Sequence, residues 1–141
     1  MYTLIIEGLN KGDLSGLDLR GCELPMLLKG INFEGTNLSG LCLCERDLSE
    51  TNLRNAILNN VNLRAADLSG ADLSKAQMHN IRAQGADFSG ATMLGVDFTN
   101  ADIQDACFER ADLSGAIFDE ALMDGCEFTD AKTDEAELVE A

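Results

Sequence analysis

Large apolar residues return at every fifth position from about Ile31 almost to the end of the chain, each two places after a small residue. Ala66-Asp67-Leu68-Ser69-Gly70, Ala86-Asp87-Phe88-Ser89-Gly90 and Ala111-Asp112-Leu113-Ser114-Gly115 show the unit. On an α-helix, at about 100° per residue, positions five apart lie about 140° from one another, so Leu68, Leu73, Phe88 and Phe98 scatter around the cylinder. In a flat strand the side-chain period is two, and an odd repeat sends successive Leu and Phe residues to opposite faces. The pattern fits a short extended piece followed by a corner: Ala66 and Leu68 point inward, Asp67 points out, and Ser69-Gly70 turns the chain. Stacked sides then bury one continuous apolar column.

The A-[DN]-[LF]-x-x unit resembles that of the pentapeptide-repeat family, in unbroken register from Ile31 to about Asp130, with an earlier set from Gly12 to Met26. The resemblance implies an all-β fold, a right-handed quadrilateral β-helix with four pentapeptides per coil. Residues twenty apart then stack. One inner column is Leu48, Leu68, Phe88, Phe108 and Phe128, and the next Leu53, Leu73, Met93 and Leu113. Leu38, Leu58, Met78, Phe98 and Phe118 make the third, and Leu43, Leu63, Ala83, Ile103 and Met123 the fourth. Ala83 leaves a gap that Ile81, in the slot usually held by Ala, fills at constant volume.

The whole chain of 141 residues reads as a single domain. Residues 1–11 form an amino-terminal cap, with Tyr2 to Ile6 alternating as a strand or half-coil. Repeats run over 12–130, about six to seven coils, with a register break at 25–30. There the inward series passes from Leu24 to Phe33 one residue short, and Pro25 predicts a bulged corner with one or two apolar side chains over the stack. Arg46 occupies a small inward slot, and an unpaired guanidinium is costly to bury, so a local distortion should bring it to solvent or to an acidic partner. Residues 131–141 read as an acidic cap or tail, either a short helix capped by Thr133 or Asp134 or an extended end.

Candidate catalytic chemistry is sparse. The single histidine, His79, is at an outward position, so no two-histidine centre forms, and the chain reads as non-enzymatic. The five cysteines, Cys22, Cys42, Cys44, Cys107 and Cys126, are odd in number and lack CxxC spacing, which argues against a disulfide framework or a zinc site. Cys22 and Cys126 take inward slots, whereas Cys42 and Cys44 flank Leu43 on the outside as an incomplete soft-metal pair. Carboxylate pairs such as Asp102 with Asp105, or Asp119 beside Glu120, lie on a convex surface with no pocket marked. No metal or cofactor is expected. Met1 to Leu9 lacks a basic start and a sufficient apolar run for secretion, and no stretch is long enough to span a bilayer, so the expected compartment is the cytoplasm.

Charge narrows the partner. The chain has 25 acidic and 10 basic residues, a net charge of −15, which argues against direct binding of nucleic acid and favours a basic protein surface. Residues 97–141 hold 14 acidic and 2 basic residues, net −12, against 11 and 8, net −3, before them. Asp97, Asp102, Asp105, Glu109, Asp119, Glu120, Glu127 and Asp130 are therefore the candidate partner-binding residues, together with an outer column of Asp47, Asp67 and Asp87. A stack of this height, on the order of 30 Å, corresponds to duplex DNA carrying about 18 phosphate charges. The family resemblance adds that members linked to quinolone resistance are similar to DNA in size and charge, dimerise through their carboxyl-terminal ends and bind gyrase. The reading is thus a protein-binding solenoid, most concretely a DNA-like ligand of gyrase or another basic DNA-binding protein, as a monomer or a carboxyl-terminal homodimer. The alternative is a scaffold or effector domain with a partner unrelated to DNA. Phe128, Leu138 and Val139 are the only apolar residues in sight for a dimer patch at that end.

Overall fold

Nearly every five closes in the same turn, and the turn sets the architecture. The Ala71 amide donates to the Leu68 carbonyl (3.1 Å), and Gly70, at the third turn position, has φ 68°. This is a type II turn, which needs positive φ at that place. Among the described residues thirteen non-glycines accept the same conformation, including Ala65 (55°), Lys75 (61°) and Arg110 (58°). The left-handed region costs an L-residue about 1–2 kcal/mol. What offsets it is pairing along the stack: the Lys75 amide donates to the Leu94 carbonyl (2.8 Å) and that of Arg110 to Thr129 (2.9 Å), so the corners are hydrogen-bonded as well as the sides.

The computed structural model describes residues 2–137 and consists of these coils stacked as a four-sided column behind one helix, α1 (Tyr2–Lys11). The sides pair in parallel with the side one coil away, except that the side around Glu23 in the first coil makes no such pairing. The first side carries the outward column Leu27, Asp47, Asp67, Asp87, Cys107 and Glu127, and the second Asp13, Asn32, Asn52, Asp72, Thr92, Asp112 and Lys132. The third carries Asp18, Asn37, Ile57, Gln77, Asp97, Ile117 and Glu137, and the fourth Cys42, Asn62, Arg82, Asp102 and Leu122. Most steps are twenty residues, but Asp13 pairs with Asn32 and Asp18 with Asn37, so the first coil holds nineteen. The missing residue lies between the inward Leu24 and Leu28, both buried.

The interior is largely apolar, with the buried hydroxyls of Thr36 and Thr51 donating to the Phe33 and Leu48 carbonyls. Phe88 and Phe108 stack at 5.0 Å with planes 5° apart, Phe108 and Phe128 at 5.3 Å and 4°, and Phe98 on the opposite side meets Phe88 edge-on at 6.2 Å. Both geometries suit the aromatic quadrupole. Ile81 and Ala83 are both buried, the large and small residue having exchanged slots. Phe128 is only half-buried, because among the described residues no further coil covers it.

Four expectations need correction. The amino-terminal cap is a helix, not a strand. The alternating apolar residues Tyr2, Leu4 and Ile6 are its exposed ones (78%, 55% and 59%), while Ile5, Gly8 and Leu9, at helical spacing, face the stack. Gly12 (φ 72°) ends α1: its amide donates to Leu9 (3.2 Å) and that of Asp13 to Gly8 (2.8 Å), the paired bonds of a Schellman motif. At the corner after Pro25, Met26 and Leu27 are exposed and do not pack over the stack, since Leu28 takes the inward place. Arg46 is half-buried and so reaches solvent in part, but it meets no acid among the described residues. Its Nη2 donates to the Leu24 carbonyl (3.2 Å) and Nη1 to that of Cys44 (3.3 Å), so the guanidinium serves a carbonyl at the point where the short coil breaks the regular pairing. Last, Thr133 and Asp134 start no helix within the described residues. Another turn follows, and Lys132 and Glu137 pair with Asp112 and Ile117. Leu138 and Val139 lie outside the described residues.

Candidate functional site

The acidity of the surface has two origins, and the turn separates them. At the outward position before the inward Leu or Phe, an Asp carboxylate folds back onto the corner: Asp67 Oδ1 accepts from the Ser69 amide (2.9 Å) and hydroxyl (2.6 Å). The Asp47–Ser49, Asp87–Ser89, Asp97–Thr99 and Asp112–Ser114 pairs repeat this, with oxygens 2.5–2.6 Å apart. Asn32, Asn37, Asn52 and Asn62 make the amide bond with a neutral oxygen. This is the Asx turn, which Asp and Asn form equally. Hydrogen bonding from the Ser49 hydroxyl and then its amide lowers the pKa of Asp47, and the Ser114 hydroxyl does the same for Asp112 against some desolvation. In Asp18 the Arg20 side chain, then the Arg20 amide, brings the pKa down to about 2. These charges belong to the fold.

The eight candidate partner-binding residues divide along that line. Asp97 and Asp102 are outward turn residues, half-buried and engaged. Burial opposes ionisation of Asp97, but the Thr99 hydroxyl and amide and His79 Nε2, 2.7 Å from its Oδ2, outweigh it and lower the pKa. Asp102 accepts from Gln104 Nε2 (2.9 Å) and Gln84 Nε2 (2.7 Å). Glu109 meets Arg110 (3.1 Å) at the corner between the first and second sides, where Asp130 follows one coil later. Asp105 stands at the corner between the fourth and first sides, with its carboxylate against Gly125. Glu127 is on the first side, and Asp119 and Glu120 form the corner between the third and fourth. Asp119, Glu120 and Asp130 are exposed and make no side-chain hydrogen bond or ion pair among the described residues. The eight therefore encircle the last coils and do not share one face.

Pairs such as His79 with Asp97 and Gln84 with Asp102 were not anticipated. Both span eighteen residues, as do Arg54 with Asp72 and Asn59 with Gln77. The signal lies in the coil length, because a corner residue reaches the outward residue of the next coil, two places short of the stacking interval.

A groove of about 490 Å³ runs up the corner between the fourth and first sides and is lined by Cys44, Glu45, Arg64, Gln84, Gly85 and Asp105. It mixes a thiol with both signs of charge and has no paired acid and base set for catalysis. Among the described residues no three metal-ligating side chains converge. Cys126, at an inward slot of the last coils, donates to the Ile103 carbonyl (2.9 Å), and burial pushes its pKa up to about 11.

A four-sided column of five-residue sides with an acidic, convex exterior defines a β-solenoid built to present surface. The chain belongs to the pentapeptide-repeat family, whose pattern it matches in eight copies over residues 47–82, 77–115 and 106–141. The fold of that family is the right-handed quadrilateral β-helix. Among solved structures, HetL, a pentapeptide-repeat protein involved in heterocyst differentiation regulation in the cyanobacterium Nostoc, is 31% identical with a TM-score of 0.62. That match covers 89% of this chain and 65% of HetL, so the chain spans less than two thirds of HetL's length. Rfr23, a pentapeptide-repeat protein of the cyanobacterium Cyanothece, is 21% identical with a TM-score of 0.60, over 95% of this chain and all of that one. Full-length QnrB1, a plasmid-mediated fluoroquinolone resistance protein, is 17% identical with a TM-score of 0.48, over 82% of this chain and 73% of its own. Among curated proteins none matches.

Proposed function

We infer that the protein is a non-catalytic binding solenoid whose partner presents a basic surface and docks around the carboxyl-terminal coils. The observation that carries this reading is the set of corner carboxylates, Asp119, Glu120 and Asp130, which no turn requires and no described residue neutralises. They stand where net charge reaches −12 over residues 97–141. Charge concentrated in this way steers a positive partner from beyond contact distance and loses its effect with salt over a Debye length of about 8–10 Å.

The most concrete partner is a DNA-binding protein such as gyrase. Carboxylates distributed around the column, and not on one face, suit a protein that normally encloses or tracks along a duplex. Purified gyrase should have its supercoiling inhibited, or be protected from a quinolone, by the intact chain. Replacing Asp119, Glu120 and Asp130 by their amides should weaken this by about an order of magnitude at low salt without changing the unfolding midpoint. Full activity in the triple variant would remove the corner carboxylates from the interface. No effect of the native chain on gyrase would direct attention to a regulatory partner unrelated to DNA. HetL, to which the chain is similar, is involved in heterocyst differentiation regulation, which keeps a regulatory role in view.

A further inference from the structure

The contact between the outward residue and the residue two places on is a product of the turn, and in one coil it brings together two thiols. Cys42 holds the place that Asp67 holds in its own five, and Cys44 the place of Ser69. Their sulfurs are 3.2 Å apart, as the carboxylate and hydroxyl oxygens are 2.5–2.6 Å apart in five other turns. The backbone that imposes this approach is fixed on both flanks: the Leu43 amide donates to Asn62 (2.8 Å) and that of Glu45 to Arg64 (2.9 Å). Cys42 is exposed and Cys44 half-buried. In a chain of strongly negative charge, Arg46, Arg64 and Arg82 gather here. Arg46 donates to the Cys44 carbonyl, Arg82 is two coils above Cys42 in the same outward column, and Arg64 lines the groove beside Cys44. Glu45 is the adjacent acid.

We propose that Cys42 and Cys44 form a thiol–disulfide exchange site for anionic low-molecular-weight disulfides, with Cys42 as the attacking sulfur and Cys44 as the resolving one. The Cys42 thiolate attacks one sulfur of the disulfide RSSR, forming a mixed disulfide and releasing one thiolate RS⁻. Cys44 gives its proton to solvent and attacks the Cys42 sulfur, forming the Cys42–Cys44 bond and releasing the second RS⁻. Two protein thiols are oxidised and one external disulfide is reduced to two thiols. Closure needs the sulfurs to move from 3.2 Å to a bond of about 2.05 Å, about 1.2 Å of travel.

The order of attack follows from the turn. The Cys44 amide, then the Cys44 thiol, supports the Cys42 thiolate and lowers its pKa, whereas desolvation raises that of Cys44. A lowered pKa and exposure are the marks of the attacking thiol. The thiols lie at one end of the groove whose other end holds Asp105, and the exchange reaction does not depend on the binding role proposed above.

The test uses the full chain, reduced and then incubated with oxidised glutathione as the anionic probe and bis(2-hydroxyethyl) disulfide as the neutral one. Intact mass and peptide mapping follow the products. The native chain should pass through one glutathione adduct to a product lacking two hydrogens, mapped to Cys42–Cys44. Cys44→Ser, which restores the hydroxyl found at Ser69, should stop at a single adduct on Cys42. Cys42→Ser should react at Cys44 on the order of tenfold more slowly. The joint variant Arg64→Gln and Arg82→Gln should slow the reaction with glutathione several-fold and leave that with the neutral disulfide unchanged. Stable adducts on both sulfurs, equal rates for the two serine variants, faster reaction at Cys22 or Cys107, or no reaction at all would overturn the proposal.

Discussion

The two ends of the column are built from the same repeat and differ in what lies on them. At the amino-terminal end α1 covers the first coil, and Leu14 and Leu19 are fully buried. At the other end Met123 and Phe128 occupy equivalent inward slots and are only half-buried. Burial in a linear stack is thus a property of neighbours, not of residue type. Phe108 and Phe128 belong to one column and stack with nearly parallel rings, yet one is enclosed on both faces and the other on one. Stability in such a protein is a sum of coil-to-coil interfaces.

The largest test of this contrast is truncation within the one column. Phe108→Ala should cost roughly 3–5 kcal/mol, as for a large aromatic removed from a packed interior. Phe128→Ala should cost about half as much, because the removed ring was covered on one face only. Urea unfolding of both variants measures the ratio, and equal losses would mean that something covers the carboxyl-terminal end in solution.

At the capped end the critical contact is backbone to backbone. A Cβ on Gly8 would lie 2.6 Å from the Asp13 carbonyl and 2.5 Å from Leu14 Cδ2. Gly8→Ala should therefore lift α1 off the first coil, at about 1–3 kcal/mol. Amide exchange should accelerate in the first coil and stay unchanged beyond residue 60. Uniform acceleration along the column would show that α1 governs the whole stack.

Acid should act more gently. Asp13, Asp18, Asp47, Asp97 and Asp112 all have folded pKa values below the ordinary 3.8. A depressed carboxyl contributes stability that is present above the unfolded pKa and lost as pH falls through the folded one. The column should therefore weaken between about pH 4 and pH 2, the lower limit set by Asp18. Asp47→Asn and Asp112→Asn keep the Asx turn, as Asn32 does, so they should leave the midpoint at pH 7 nearly unchanged and flatten this acid limb. An unaltered acid limb would place the sensitivity elsewhere.

The five-residue period made the interior legible before any coordinates: the four inward columns, including Phe88, Phe108 and Phe128, follow from spacing once four fives make a coil. What the period could not reach was whatever lies outside it. Tyr2, Leu4 and Ile6 alternate like a strand, and only the presence of Leu14 opposite Gly8 selects the helical set. Met26 and Leu27 are apolar but sit in a five that lost a residue, so the inward place passes to Leu28. Arg46 answers a free carbonyl, which leaves no mark on side-chain chemistry. The concentration of acid after Val96 was legible as a count. Its arrangement around the column was not, because outward and corner positions look alike until the turn shows which carboxylates are bonded back to the chain.

The nineteen-residue coil bears on how proteins of this build can change length. Losing one residue at the corner between Leu24 and Leu28 left the Asp13 and Asp18 sides aligned, since they still meet Asn32 and Asn37. Losing or gaining a whole five would rotate everything beyond it by a quarter turn about the long axis, keeping every turn and an inward residue in every slot while exchanging stacking partners only across the change. Small indels are absorbed, and unit indels act as a rotary adjustment. The compass bearing of the carboxyl-terminal carboxylates relative to α1 can thus be reset in four discrete steps with no substitution among the carboxylates themselves.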